Sequence, residues 1–183
     1  MKTSPKHIFL FFFFLFNLNS CRNSSEEKEY TSEEIAEETA QLNAFFEEEF
    51  QKDLKESPML QTRLGIKTDY DSWDDFSHLR YAEDLKTAKR RLDFLKNSIE
   101  ESALEGQAAL SYRLYKQRLE QEIEDYEFRF YNYPVNQMFG VHASLPAFLI
   151  NMHKIESVSD AEAYVARLNK IPKVMDDVIQ GLE

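Results

Sequence analysis

The amino-acid sequence predicts an all-α protein, an irregular array of helices that contains one long antiparallel helix pair. Glycine is scarce, at 4 residues in a chain of 183. Long stretches are rich in Leu, Glu, Lys, Arg and Gln, the straight-chain residues that favour helices. Within these stretches apolar residues recur at steps of three and four, which places them on one face of a helix.

Residues 1–20 have the pattern of a signal peptide for export. Lys2 and Lys6 precede the apolar run 8–16, which is too short to cross about 30 Å of hydrocarbon as a helix. The stretch 18–21, Leu-Asn-Ser-Cys, resembles the lipobox of bacterial lipoproteins, although Asn19 departs from the usual small or aliphatic residue. The resemblance implies cleavage before Cys21 and lipidation of its sulfur.

We therefore expect an exported lipoprotein of the cell envelope, periplasmic or surface-exposed, held to the membrane through Cys21. The alternative is ordinary signal cleavage that leaves a lone thiol in an oxidising compartment. Residues 21–30 are polar and acidic, and they are predicted to form a flexible tether behind the anchor.

The charge of the chain excludes one class of partner. It carries 33 acidic against 22 basic residues, a formal net charge of −11. Removal of the signal takes away Lys2 and Lys6 and makes the balance more acidic still. Such a surface repels phosphate backbones, so we expect no nucleic-acid partner.

The first helices are delimited by capping signals. Thr31 with Glu34 has the form of a capping box, and the helix behind it should stop before Pro58, because the residue preceding a proline disfavours the α conformation. Ser57 as N-cap, Pro58 at the first helical position and Gly65 beyond the end then predict a second, short helix.

An acidic loop at residues 65–75 follows the short helix. Asp69 and Asp71 alternate as in a calcium-binding loop, but Trp73 stands where a third ligand is needed and Arg80 where the Glu should be. We therefore predict a solvated loop with Trp73 folded back onto the helices.

The long helix pair comes next, over residues 75–99 and from Ser102 to Phe130. Ser102 with Glu105 has the form of a capping box for the second helix. The link around Glu100 is short, which makes the two helices antiparallel neighbours. One face of the first helix is expected to be basic and solvated; its members are Lys86, Lys89, Arg90, Arg91 and Lys96.

The last third of the chain is less regular. Residues 131–151 are apolar but interrupted by Pro134, Gly140 and Pro146, so we expect a buried turn and a short helix that starts at 144–146. Ser159 with Glu162 should cap a further helix, and past Pro172 an apolar stripe continues, uncapped, to the end of the sequence.

Several stretches resemble a known family. They are residues 57–58, 62–66, 69–71, 133–142, 145–146 and 160–168, the longest of which reads Tyr-Pro-Val-Asn-Gln-Met-Phe-Gly-Val-His. Together they resemble the N-terminal part of the bacterial domain of unknown function 885 family, over roughly residues 45–183. Residues 31–183 are thus expected to be the helical front portion of a larger, metallopeptidase-like domain.

The resemblance implies a longer protein similar to zinc metallopeptidases, with a His-Glu-x-x-His motif in its later part. That motif holds zinc between two imidazoles one helical turn apart and uses the Glu to activate water. None of His7, His78, His142 and His153 fits it. We therefore assign no catalytic, cofactor-binding or metal residue to this chain, and we expect zinc and a peptide-like substrate only for the full-length protein.

Two hypotheses follow. Either the chain is the anchored front portion of a zinc-dependent hydrolase, inactive alone, or it is a complete helical lipoprotein that acts as a binding or scaffolding module. His142 and His153 are expected to be hydrogen-bonded structural histidines. The aromatic residues Phe128, Phe130, Tyr131 and Tyr133 are expected in the core, with the lining of a substrate cleft as the alternative.

Overall fold

The computed structural model describes residues 28–131 and 133–182, and it confirms the all-α prediction for this part of the chain. By its contacts the chain divides into two units, Met1–Thr31 and Ser32–Glu183. The α-helices of the second unit are α1 Ser32–Glu56, α2 Pro58–Arg63, α3 Arg80–Ser98, α4 Gly106–Asp125, α5 Val141–Asn151 and α6 Val158–Gln180. Short 3₁₀ helices lie at Glu101–Ala103 and Tyr126–Phe128.

The predictions for the signal peptide, for Cys21 and for most of the tether fall on residues 1–27, outside the described residues. Among the helices that are described, none combines the length and the apolar composition that a membrane span requires.

Helices α1, α3 and α4 share one hydrophobic core. Its buried members are Leu42, Phe45, Ala88, Leu95, Ile99, Leu104, Tyr112 and Leu119. The hydroxyl of Tyr112 donates to the carbonyl oxygen of Leu95 near the α3–α4 link. The rings of Tyr81 and Phe130 meet edge to face at the opposite end. The two helices are therefore antiparallel, as the short link predicts.

The second core joins α2, the loop at residues 65–79, α5 and α6. It is formed by Met59, Trp73, Leu145, Phe148, Leu149 and Val174. Ser57 caps α2 as predicted, since its Oγ accepts the N–H of Leu60 at 3.1 Å. Gly65 follows α2 with a φ of +79°, a left-handed conformation that favours glycine. Trp73 does fold back onto the helices, so the loop is only partly solvated.

Four predicted helix starts are wrong, and at three of them the reason is that another polar group takes part. α3 begins at Arg80 rather than at 75, since Asp75 accepts the N–H of Ser77 and holds a local turn. α4 begins at Gly106, because the hydroxyl of Ser102 bonds instead to the carboxylate of Glu100. In α6 the N-cap is Ser157, whose Oγ accepts the N–H of Asp160.

Two helix ends also differ from prediction. α4 ends at Asp125 and passes into the 3₁₀ helix Tyr126–Phe128, short of Phe130. α6 runs through Pro172 to Gln180, where the N–H of Gly181 bonds to the carbonyl oxygen of Val178 at 3.2 Å.

The basic face predicted for α3 is not solvated throughout. Arg91 is buried, and its Nε donates to Oε2 of the buried Glu49 on α1 at 2.6 Å. Arg90 adds a bond from Nη1 to Oε1 of Glu49 at 2.9 Å, and Arg91 also pairs with Asp53. Burial alone would raise the pKa of Glu49, but its bonds to Arg90, Arg91 and Lys52 hold it at about 2.

The segment between α4 and α5 is exposed, so the prediction of a buried turn is wrong. Oδ1 of Asn136 accepts the N–H groups of Met138 and Phe139 at 2.9 and 2.7 Å, which closes a tight turn at the isolated bridge between Val135 and Gly140. A Cβ on Gly140 would lie 2.6 Å from the carbonyl oxygen of Pro134. Because this turn satisfies its polar groups locally, its apolar side chains point away from the core. α5 then begins at Val141, earlier than the predicted 144–146.

The buried ion pair gives a first prediction. Replacing Glu49 by Ala should cost about 3–5 kcal/mol of unfolding free energy, because Arg91 stays buried with only the half-exposed Asp53 as its carboxylate partner. Urea denaturation of the variant measures this loss.

Glu48→Ala is the matched control. The Glu48 side chain is 68% exposed and pairs with Lys52 in the same helix, so its loss should change stability by no more than about 0.5 kcal/mol. Equal effects of the two substitutions would show that the buried pair contributes nothing special.

Candidate functional site

Two places gather polar groups at the end of the fold formed by α2, α5 and α6. The first, the Arg167 cluster, consists of Arg167, His153, Thr62, Tyr70 and Trp73. The second, the His78 groove, is an open concavity beside the C-terminal end of α6.

The guanidinium of Arg167 is completely buried. Nη2 donates to Oγ1 of Thr62 at 2.8 Å, Nε donates to the carbonyl oxygen of Ser72 at 2.9 Å, and Nη1 bonds to Nδ1 of His153 at 3.0 Å. Its charge also faces the rings of Tyr70, Trp73 and Phe148 at 5.2–5.4 Å. Among the described residues no carboxylate forms an ion pair with it. Neutral acceptors and ring faces therefore solvate this cation.

The hydrogen bonds of His153 fix its tautomer. Nε2 lies 2.9 Å from the carbonyl oxygen of Asp160, which can only accept, so Nε2 carries the proton. Nδ1 is then the acceptor for Arg167. Burial lowers the pKa of His153, and the charge of Arg167 lowers it further. The prediction of a hydrogen-bonded structural histidine is confirmed for His153.

Asp160 ties the start of α6 to the preceding loop. Its Oδ2 accepts from Nζ of Lys67 and from the N–H of Glu156, both at 3.0 Å. These two donors lower the pKa of Asp160 to about 2. The polar groups of the Arg167 cluster and of Asp160 thus bond to other groups of the protein, and their role is to position the elements that carry them.

The His78 groove has a volume of about 570 Å³. Its residues come from the loop before α3, the segment after α4 and the end of α6, and they include Phe76, His78, Tyr81, Arg129, Phe130, Pro134, Val141, Asp177 and Leu182. Nδ1 of His78 is buried without a hydrogen-bond partner, the one such side-chain atom in the described part of the chain. This groove is a concavity large enough for a small ligand, and it has polar side chains, among them Arg129 and Asp177, at its wall.

The other residues considered from sequence lie apart from one another. His142 is exposed on the first turn of α5, and the expectation of a hydrogen-bonded structural histidine stays a prediction there. The aromatic residues Phe128, Phe130, Tyr131 and Tyr133 are all more than half exposed, so the core assignment is wrong. Phe130 does line the groove, while Cys21 lies outside the described residues.

The carboxylates of the acidic loop do not converge on a common site. Asp69 accepts from Nε2 of Gln61, Asp71 from Nζ of Lys170, and Asp74 from the hydroxyl of Ser57. Within residues 28–131 and 133–182 no group of three His, Cys, Asp or Glu side chains is placed to hold a metal ion.

Sequence reasoning missed Arg167 and His78. A signal for Arg167 was present, because it lies on the same helical face as Tyr164, Ile171, Val174 and Val178, three or four residues from its neighbours. A cation in an apolar stripe indicates a buried, hydrogen-bonded role. No comparable signal marks His78, which sits in an irregular loop.

Comparison with known proteins gives one match. The model of a family described as "Bacterial protein of unknown function (DUF885)" matches residues 58–183, from the first residue of α2 onward, and so takes in both the Arg167 cluster and the His78 groove. No curated protein and no solved structure matches the chain.

The neutral His153 predicts a pH dependence of stability. In the unfolded chain its pKa is near the ordinary value of 6.5, and burial lowers it in the folded chain. Below about pH 6.5 the unfolded state then binds more protons, so the unfolding free energy should fall as the pH drops. Urea denaturation from pH 7.5 to 5 measures this fall.

His153→Gln should flatten that profile, since Gln retains a donor and an acceptor but does not titrate. His142→Gln, at an exposed histidine, should leave the profile as it is. Glu49 and Asp160, with pKa values of about 2, act only at lower pH. A profile unchanged by His153→Gln would contradict the assigned role.

Proposed function

The chain belongs to the bacterial DUF885 family of unknown function, and on that premise we propose that it is the lipid-anchored helical front portion of a larger zinc-dependent hydrolase of the peptidase type. In this proposal residues 58–183 supply binding and packing surface. The zinc site and the peptide-like substrate belong to the full-length protein, and this chain alone is inactive.

The observation that carries the proposal is an exposed apolar surface, the aromatic surface, formed by Phe128, Phe130, Tyr131, Tyr133, Met138 and Phe139. Tyr133 is 82% exposed and Met138 and Phe139 about 70%. So many exposed apolar groups within one short stretch of chain are typical of a surface that packs against another protein segment. The surface lies within the part of the chain that the family model matches.

The lipid anchor is supported by residues 1–21. The two lysines, the apolar run and the Leu-Asn-Ser-Cys stretch have the order of a lipoprotein signal. Thioether formation needs a thiol, and Cys21 is the single cysteine of the sequence. The partner on this side is the membrane of the cell envelope, and the acidic charge argues against a nucleic-acid partner.

The assignment of catalysis to the full-length protein follows from the sequence. Zinc chemistry of the His-Glu-x-x-His kind needs two histidines four residues apart, and this chain has no such pair. Reading the gene past codon 183 in all frames for that motif tests the assignment directly.

The second candidate is a stand-alone helical envelope lipoprotein that binds a ligand or scaffolds other proteins. The His78 groove favours this candidate, because the chain itself forms the concavity and places the polar side chains of Arg129 and Asp177 at its wall. A stop codon with no related reading frame downstream would select this candidate over the first.

Acylation of Cys21 is testable in cells. The full chain should incorporate an alkyne-tagged fatty acid and partition into the detergent phase, and Cys21→Ser should abolish both. Asn19→Ala, which brings the lipobox closer to the usual small residue, should retain the label. A label that persists in Cys21→Ser would refute the anchor.

The aromatic surface predicts self-association when no larger protein covers it. Sedimentation velocity on the full chain with Cys21→Ser should show concentration-dependent association, and adding Tyr133→Ser with Phe139→Ser should weaken it. Val158→Ser is the matched control, since Val158 is 77% exposed but lies at the start of α6. An equal effect of the control would contradict the assignment.

A further inference from the structure

The His78 groove has properties that point to a ligand of its own, independently of the lipid anchor and of any zinc chemistry. We propose that the groove binds a small carboxylate with an apolar body, such as the C-terminal residue of a peptide or a free fatty acid. Arg129 pairs with the carboxylate.

The size and the lining of the His78 groove suit a small apolar body. The groove measures about 570 Å³ and is walled by apolar groups, including Phe76, Phe130, Val141 and Leu182. Small-molecule sites are concavities of this size, lined mainly by apolar side chains with few polar groups. The body of the ligand is therefore apolar and about as large as one or two side chains.

The imidazole of His78 forms part of the wall of the groove. Its Nδ1 is buried and has no hydrogen-bond partner in the structure. Buried polar side-chain atoms nearly always have a partner, because an unpaired one has lost its water without replacement. Because this atom is closed to a water-sized oxygen, it does not contact a ligand in the groove, and the hydrogen bonds to the carboxylate come from Arg129.

Arg129 supplies a positive charge whose position is fixed by its contacts. Its guanidinium lies over the rings of Tyr126 and Phe130, at 4.2 and 4.5 Å from their centroids, and Nη1 donates to the carbonyl oxygen of Tyr126 at 2.9 Å. Among residues 28–131 and 133–182 no carboxylate forms an ion pair with it. An arginine has five N–H donors in a fork that matches a carboxylate, so most of them are available.

Asp177, an acidic residue that lines the groove, does not make the groove prefer a cation to an anion. Asp177 lines the groove, but its Oδ2 accepts from Nζ of Lys173 at 2.7 Å, which offsets its charge locally. Arg129 has only donors, and a carboxylate is an acceptor-only group. An anion with an apolar body thus fits the groove better than a cation does.

Isothermal titration of the full chain, held in lipid nanodiscs with empty nanodiscs as blank, tests the proposal. One arm uses N-acetyl-L-phenylalanine for a peptide C-terminus and the other uses octanoate for a fatty acid. Saturable binding in either arm supports the shared chemistry and identifies its source. The corresponding amides, which lack the negative charge, should bind much more weakly.

Variants locate the site. Arg129→Gln should weaken binding about 10-fold or more, as expected for loss of a charge-assisted pair, whereas Arg129→Lys should retain part of the affinity. His78→Phe keeps a ring in the wall of the groove and should leave the affinity nearly unchanged. His142→Gln, at an exposed histidine outside the groove, should have no effect.

Thermal unfolding of each variant shows whether it is folded, and Arg129→Gln, at a partly exposed side chain, does not disturb the core. Three results would overturn the proposal. They are equal affinity for acid and amide, unchanged affinity in Arg129→Gln, and no saturable binding in either arm.

Discussion

The structure depends on one buried cation that no described carboxylate neutralises. Moving an ionised group out of water is costly, and Arg167 is offset by neutral acceptors and ring faces instead. These come from α2 through Thr62, from the loop through Ser72 and Trp73, and from the turn after α5 through His153. The charge is solvated only when all of these segments are in place. The loop at residues 65–79 is therefore ordered although it has no regular hydrogen-bonding pattern of its own.

A second buried charge, of opposite sign, has the corresponding role in the other core. Glu49 on α1 accepts hydrogen bonds from Arg90 and Arg91 on α3. These bonds fix the relative position of the two helices more narrowly than apolar packing alone. The two cores are connected through the α1–α2 turn, where Nε2 of Gln61 donates to the carbonyl oxygen of Leu54 and to Asp69. Buried hydrogen-bonded groups of this kind favour one arrangement over alternatives of similar hydrophobic content.

Periodicity and capping residues were enough to predict the helical class, the α1–α2 boundary at Ser57 and the antiparallel pair. They failed where polar side chains interact across the chain. Arg91 looks like a surface cation because its partner Glu49 is supplied by another helix. The helix starts were misplaced where Asp75, Glu100 and Ser157 form local bonds that compete with or shift a cap. The His78 groove could not be predicted from the sequence either, since its residues come from three separated segments.

Residues 133–140 show why apolar composition does not by itself mean burial. The side chain of Asn136 and the absence of a side chain on Gly140 let the backbone close on itself, so the turn needs no core around it. Its apolar side chains are then available to something else. Phe130 belongs both to the aromatic surface and to the wall of the His78 groove. A segment that packs on Phe130 therefore also contacts a wall of the groove, so packing at the aromatic surface and binding in the groove are coupled through that one ring.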